Sequence, residues 1–100
     1  MSSYELAPAA ARDLEEILDH IRSEAGPERA ESVRRELLSA IDRLSRYPQS
    51  GHARTDLTQR QVLFWPVQKW LIIYQCGMRT IQVVRVLSGW RDLRAILGRP

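Results

Sequence analysis

The chain has one cysteine and one lysine, and it lacks most of the patterns that announce an enzyme. A lone thiol, Cys76, excludes an internal disulfide and any multi-cysteine zinc site. Lying in an apolar stretch, it reads as a small core residue. The two histidines, His20 and His52, have no ligand-spaced cysteine or histidine beside them, so no metal site and no cofactor is expected. There is no glycine-rich phosphate loop, and Ser50-Gly51-His52 does not form a nucleophile elbow. The longest apolar run, Trp70 to Tyr74, is too short to cross a bilayer. Met1-Ser2-Ser3-Tyr4 shows no charged region leading into an apolar one, so no signal peptide is read there. A soluble, cytoplasmic protein is expected.

What is present fits one folded domain over residues 1–100, large enough for a single modest core. Hydrophobic residues make up 44% and charged residues 27%, which argues against disorder. Net charge is +3, and 14 of the 15 basic residues are arginine, whose planar fork suits carboxylates and phosphates. The charge is uneven. From Ala53 onward eight basic residues (Arg54, Arg60, Lys69, Arg79, Arg85, Arg91, Arg94, Arg99) face two acidic ones, Asp56 and Asp92. An acidic protein or nucleic-acid surface is the partner such a field would attract, although a solvated basic face explains it equally.

Tyr4-Glu5-Leu6 is a short extended piece cut off by Pro8, which suits the first turn of a helix. Leu14, Ile17, Leu18 and Ile21 then form one apolar stripe. Gly26 stops this helix and Pro27 starts the next. The second carries Ala30, Val33, Leu37, Ile41 and Leu44 and ends near Tyr47-Pro48. Glu31–Arg35 and Asp42–Arg46 are spaced to pair across its exposed side. The two helices make an antiparallel hairpin. After a polar loop, Pro48 to Gln59, the period changes. Gln61–Trp65, Trp70–Cys76 and Thr80–Leu87 read as an antiparallel three-stranded meander, bounded by Pro66 and Gly77. Trp90, Leu93 and Leu97 suggest a short final helix or tail.

Alternation puts Leu71 and Ile73 on one face of the meander and Ile72 and Tyr74 on the other. In the last strand it puts Val84 and Val86 on one side and Ile81, Val83 and Leu87 on the other. The helical hairpin covers one face, so the second is expected to keep exposed apolar surface of the kind that marks a partner site. Arg85 interrupts the most hydrophobic strand. It reads either as a rim residue paired with a carboxylate such as Asp92 or as a basic group at the centre of the partner face. Glu15, Glu16 and Asp19 form a solvated helix face. Trp65, Trp70 and Trp90 serve core and interface packing, or stacking on bases.

Two stretches resemble the RelE/ParE toxin superfamily. One runs from Tyr4-Glu5-Leu6-Ala7-Pro8 through Arg12-Asp13-Leu14-Glu15-Glu16-Ile17 and the helical hairpin to Arg46-Tyr47-Pro48-Gln49-Ser50-Gly51. The other is Ile72-Ile73-Tyr74 leading into Ile81-Gln82-Val83-Val84-Arg85-Val86-Leu87-Ser88-Gly89-Trp90-Arg91-Asp92-Leu93. The resemblance implies an α+β fold of order βααβββ, an antiparallel sheet with the helical hairpin on one face. It also implies a neighbouring ParD-like antitoxin that wraps the domain in a hetero-oligomeric complex. Ribonuclease members carry lysines near the positions of Gln61 and Leu63 and an arginine near Leu71, and members often have histidine where this chain has Ser88. None of these is basic here. The departure favours the ParE side, whose members inhibit DNA gyrase by binding, without sequence-specific nucleic-acid contact. The alternative is a RelE-like ribosome-dependent mRNA endonuclease using Arg85, Arg79, Lys69 and His52. On the first reading the antitoxin meets Arg79, Ile81, Val83, Arg85 and Leu87, and the target meets Trp90, Arg91, Leu93 and Arg94.

Overall fold

The computed structural model describes residues 3–89. The chain runs β1 (Tyr4–Leu6), α1 (Pro8–Ala25), α2 (Pro27–Arg46), a 3-10 turn (Pro48–Ser50), β2 (Leu63–Val67), β3 (Trp70–Cys76) and β4 (Ile81–Leu87). The expected order and α+β class are observed. The segment read as a final helix, Trp90 to Leu97, lies outside the described residues.

Each helix begins with proline in its first turn and has no side-chain cap. Gly26 alone separates them, and it can do so because its φ of 92° is open to glycine and strained for other residues. The buried residues of α2 are Ala30, Val33, Leu37, Ile41 and Leu44, the same stripe its sequence spacing predicts. They meet Ala10, Leu14 and Ile21 of α1 and, from the sheet, Val67, Trp70, Ile72, Tyr74, Ile81, Val83 and Val86. Removing a large side chain such as Leu37 or Ile41 from water contributes about 1.5–3 kcal/mol. On the outer side of α2, Arg46 pairs with Asp42 as the spacing suggests, whereas Glu31 takes Arg34 instead of Arg35.

The sheet order is β1-β4-β3-β2. The meander β2-β3-β4 is antiparallel, and β1 joins it parallel to β4, with Tyr4 opposite Ile81 and Leu6 opposite Val83, so the sheet as a whole is mixed. Three details depart from the sequence expectations, and each has a physical cause.

The first strand of the meander continues through Pro66 to Val67, beyond the proline expected to end it. Only an edge strand tolerates that residue, because no further strand requires its missing N–H. The second departure is a bulge. Ile73 pairs with Arg85 and Tyr74 with Val83, which leaves Val84 as an extra residue. Alternation is reset there: Ile81, Val83 and Val86 all enter the helix-side core, while Val84 and Leu87 pack on the other face. Strict period-two reading had placed Leu87 with Ile81 and Val83. Third, the second face is not open. Leu71 and Ile73 are 1% and 0% exposed, packed with Val62, Phe64, Leu57, Val84 and Leu87. The loop read as polar supplies Leu57, and Val62, read inside the strand Gln61–Trp65, lies just before β2, which begins at Leu63. Among the described residues the large apolar side chains left exposed are Tyr47 and Met78, neither of them in a strand.

Cys76 is exposed, not a core residue. Pairing of β2 with β3 ends at Leu63–Tyr74, so Gln75 and Cys76 run past the β2 edge.

The helical hairpin is tied to the sheet at Tyr74, which is fully buried. Its hydroxyl donates to the Pro48 carbonyl at 2.7 Å and accepts the Gly51 N–H at 2.9 Å. A side chain at Gly51 would strike that hydroxyl and come within 2.8 Å of Tyr74 Cε1. The Tyr47-Pro48-Gln49-Ser50-Gly51 motif is thus a socket for one phenol. Burial holds that phenol above its ordinary value near 10, partly opposed by the Gly51 hydrogen bond. A raised phenol contributes stability that is complete below the unfolded value and is lost as pH rises through the folded one. Urea titration of Tyr74→Phe should therefore show a loss of about 1–3 kcal/mol near neutrality, from two stranded backbone groups. The variant should also lack the part of the alkaline decline that begins near pH 10. Equal stability and an unchanged alkaline limb would exclude this role.

Candidate functional site

Asp13, Glu16, Ile17, His20 and Ile21 follow one another at helical spacing along a single edge of α1. That edge faces the end of β4 and the β2–β3 turn across a cleft of about 550 Å³, whose other walls are Lys69, Trp70, Arg85, Val86, Leu87 and Ser88.

Two local arrangements shape it. The first is the turn Gln68-Lys69, closed by the Val67–Trp70 pair. Gln68 sits at φ 54°, a conformation more natural to glycine or asparagine. Its side chain explains the choice. The amide donates to both oxygens of Glu36 on α2, at 2.6 and 2.7 Å, and Arg29 reaches its carbonyl at 3.4 Å. The turn is thereby fastened to α2, and it presents Lys69 with its ammonium 5.4 Å from the centre of the Trp70 ring.

The second is the carboxylate of Asp13. It accepts from Arg85 Nε at 2.7 Å and from a terminal guanidinium nitrogen at 2.9 Å, and also from the Val86 backbone N–H at 3.0 Å. Strand β1 ends opposite Val83, so among the described residues β4 has no strand neighbour on that side beyond it. Asp13 supplies the missing acceptor there. The two side chains are 27% and 11% exposed, so the pair is partly desolvated. Hydrogen bonds to the Asp13 carboxylate hold the Arg85 guanidinium above its usual range against the opposing effect of burial, and the charges of Asp13 and Glu16 add to this.

The residues singled out from the sequence therefore fare differently. Arg85 and Leu87 line the cleft. Arg85 does pair with a carboxylate, but it is Asp13 and not Asp92, which lies outside the described residues. Ile81 and Val83 are 1% and 0% exposed beneath the helices and present no surface. Arg79 is exposed in the β3–β4 turn, at the far end of a seven-residue strand from Lys69, roughly 20 Å away at ~3.3 Å per residue. His52 bridges Phe64 through the backbone, and its ring stacks on Trp65 at 6.3 Å between centroids. Trp90, Arg91, Leu93 and Arg94 lie outside the described residues. Of the four groups an mRNA endonuclease would need, Arg85 and Lys69 share the cleft while Arg79 and His52 do not line it.

Asp13, Glu16 and His20 escaped the sequence reading because charged residues on a helix normally face water. Their signal was the shared edge with Ile17 and Ile21, which core burial turns towards the sheet. The cleft combines apolar walls with two carboxylates, two fixed cations and an imidazole. That mixture suits an amphipathic peptide segment better than one small anion. Among the described residues no three histidine, cysteine, aspartate or glutamate side chains are grouped to hold a metal ion.

Residues 4–93 match the family described as the ParE toxin of the parDE type II toxin-antitoxin system. Toxin ParE1 of Mycobacterium tuberculosis is 38% identical over 92 residues, covering 92% of this chain and 94% of that protein. Toxin ParE3 of Caulobacter vibrioides is 28% identical over 87 residues, with 87% and 86% covered. A solved structure titled "Chromosomal ParDE TA system from P. aeruginosa" superposes with a TM-score of 0.76 at 22% identity, over 90% of this chain and 98% of that one, which is a likeness of fold.

If Asp13 fastens α1 to β4, its removal should strand a guanidinium and a backbone N–H together. Asp13→Ala is expected to cost about 2–4 kcal/mol in urea unfolding. A double-mutant cycle with Arg85→Ala should return a coupling of about 1 kcal/mol or more. Additive losses would show that the two groups do not act on each other.

Proposed function

This chain belongs to the ParE toxin family of parDE type II toxin–antitoxin systems, and from that membership we propose that it inhibits DNA gyrase by binding, with no catalytic step and no cofactor. The observation that carries the proposal is the family match across residues 4–93. The geometry supports the non-catalytic part. Cleaving RNA by 2′-hydroxyl attack needs a proton acceptor and cations gathered about one phosphate. Here Arg85 is engaged by Asp13, Lys69 lies over Trp70, His52 is stacked on Trp65, and Arg79 stands at the other end of the sheet. The protein acts in the cytoplasm on this reading, and no helix among the described residues is long and apolar enough to cross a membrane.

A ParD-like antitoxin is the proposed partner, in a hetero-oligomeric complex. Its docking segment enters the cleft between α1 and the end of β4. Apolar side chains would meet Ile17, Ile21 and Leu87, and charged ones Lys69, His20 and Glu16. Of the antitoxin contacts read from the sequence, Arg85 and Leu87 remain in this proposal, and Arg79 stays at its margin. Ile81 and Val83 leave it because they are core. The target-binding role stays with Trp90, Arg91, Leu93 and Arg94, a combination of aromatic anchor, arginines and leucine that is common in binding hot spots.

Antitoxin-free protein should block supercoiling by purified gyrase, and Arg91→Ala/Arg94→Ala should lose that inhibition while still binding antitoxin. No inhibition by the folded wild-type protein would sink the gyrase assignment. Codon-phased cuts in ribosome-bound mRNA would replace it with the endonuclease alternative. For the cleft, Lys69→Glu should weaken antitoxin binding about tenfold by calorimetry, which is about 1.4 kcal/mol. An unchanged dissociation constant would move the docking site elsewhere.

A further inference from the structure

A second groove, of about 400 Å³, lies between α2 and the edge strand β2, away from the α1 cleft. Arg43 and Arg46, one turn apart on α2, stand on one side, with Trp65 and Pro66 on the other. The half-buried Trp65 indole carries the exposed His52 ring stacked on it, the two planes inclined by 10°. Tyr47, next to Arg46, is 61% exposed and is one of the two large exposed apolar side chains among the described residues.

The charges here are available. Arg43 forms no ion pair with any described residue. Arg46 is held by Asp42 at 3.2 Å, with the two side chains 55% and 46% exposed. Such a pair contributes little and exchanges readily for a phosphate. Glu36, which also lines the groove, is turned onto the Gln68 amide. The edge itself resists strand addition, since Pro66 has no N–H to offer. A partner must therefore be recognised through side chains. Parallel aromatic rings beside arginines are the elements with which proteins hold single strands, the rings taking a base and the guanidinium groups its phosphates. A net charge of +3 favours approach of a polyanion.

We propose that the α2–β2 groove binds a single-stranded nucleic-acid segment without sequence preference. A base stacks on the His52–Trp65 pair, and the flanking phosphates pair with Arg43 and Arg46. This goes beyond the gyrase reading and does not require it, because it concerns a different surface and is read out without gyrase.

The test is fluorescence anisotropy of a labelled oligothymidylate of about fifteen nucleotides, titrated with the antitoxin-free protein at low salt. Binding at roughly 1–100 µM that weakens steeply with salt is expected. His52→Ala and Arg43→Glu alter exposed side chains and should each weaken binding about fivefold or more, with unchanged circular dichroism. Duplex DNA of the same length should bind more weakly, since its bases are not free to stack. Absence of binding would overturn the proposal. So would equal affinity of both variants, which would place the contact on other basic residues. Polyglutamate binding as tightly as the oligonucleotide would overturn it as well, by making the groove a site for acidic proteins.

Discussion

The carboxylate of Asp13 holds together the parts of this molecule that sequence-local forces leave apart. Strand β1 is three residues long and ends just before α1, so among the described residues the last half of β4 has no strand neighbour on that side. One aspartate on the second turn of α1 replaces that neighbour. It accepts three hydrogen bonds, two from a guanidinium and one from the β4 backbone. Hydrogen bonds to charged groups contribute about 1.5–3 kcal/mol each before coupling is counted. The contact joins α1 and β4, the two elements between which the α1 cleft lies. It also changes the meaning of Arg85. A cation in the centre of an apolar strand suggests a binding or catalytic group, yet its fork already has a planar partner. That pairing gives it an architectural role beside its place in the cleft wall.

Much of the fold could be read in the residues. Both helices end where proline and glycine require, and their buried stripes are those of the 3.6-residue period. Strand β3 occupies the predicted residues Trp70–Cys76, because a stretch rich in β-branched and aromatic residues, Trp70 to Tyr74, lies between a turn and Gly77. What escaped reading depends on neighbours. Pro66 ends a strand only if that strand lies inside a sheet, and β2 proves to be an edge. The bulge at Val84 has no mark of its own in a run of valines, and it reassigns the faces of Val86 and Leu87. Leu57 was hidden in a segment dominated by polar residues and Val62 was read inside a strand with no face assigned, so the cover they give the second face was missed. Pairing of Asp13 with Arg85, 72 residues apart, cannot be inferred from spacing at all.

The candidate site was legible in part for the same reason. Arg85 and Leu87 were named from their strand and do line the cleft, while Asp13, Glu16 and His20 were passed over as helix surface. Alternation rightly put Ile81 and Val83 on one side, but that side was assigned to the partner and it faces the helices. The socket around Tyr74 gives the other side of the comparison. The motif from Tyr47 to Gly51 had only family resemblance behind it until the phenol of Tyr74 was seen between Pro48 and Gly51, where a side chain on Gly51 would strike it.

Together these features describe a toxin whose Arg79 and His52 stand apart from the cleft that holds Arg85 and Lys69, and whose α1 cleft has mixed apolar and charged walls. If it works by occupancy, its effect must follow the number of target molecules. The direct measurement is a titration of toxin into a fixed, high concentration of gyrase, with residual supercoiling followed over time. The account predicts inhibition that reaches its end near a fixed molar ratio and does not deepen on longer incubation. Progressive loss of activity from a small fraction of toxin, increasing with time, would mean turnover and would contradict it.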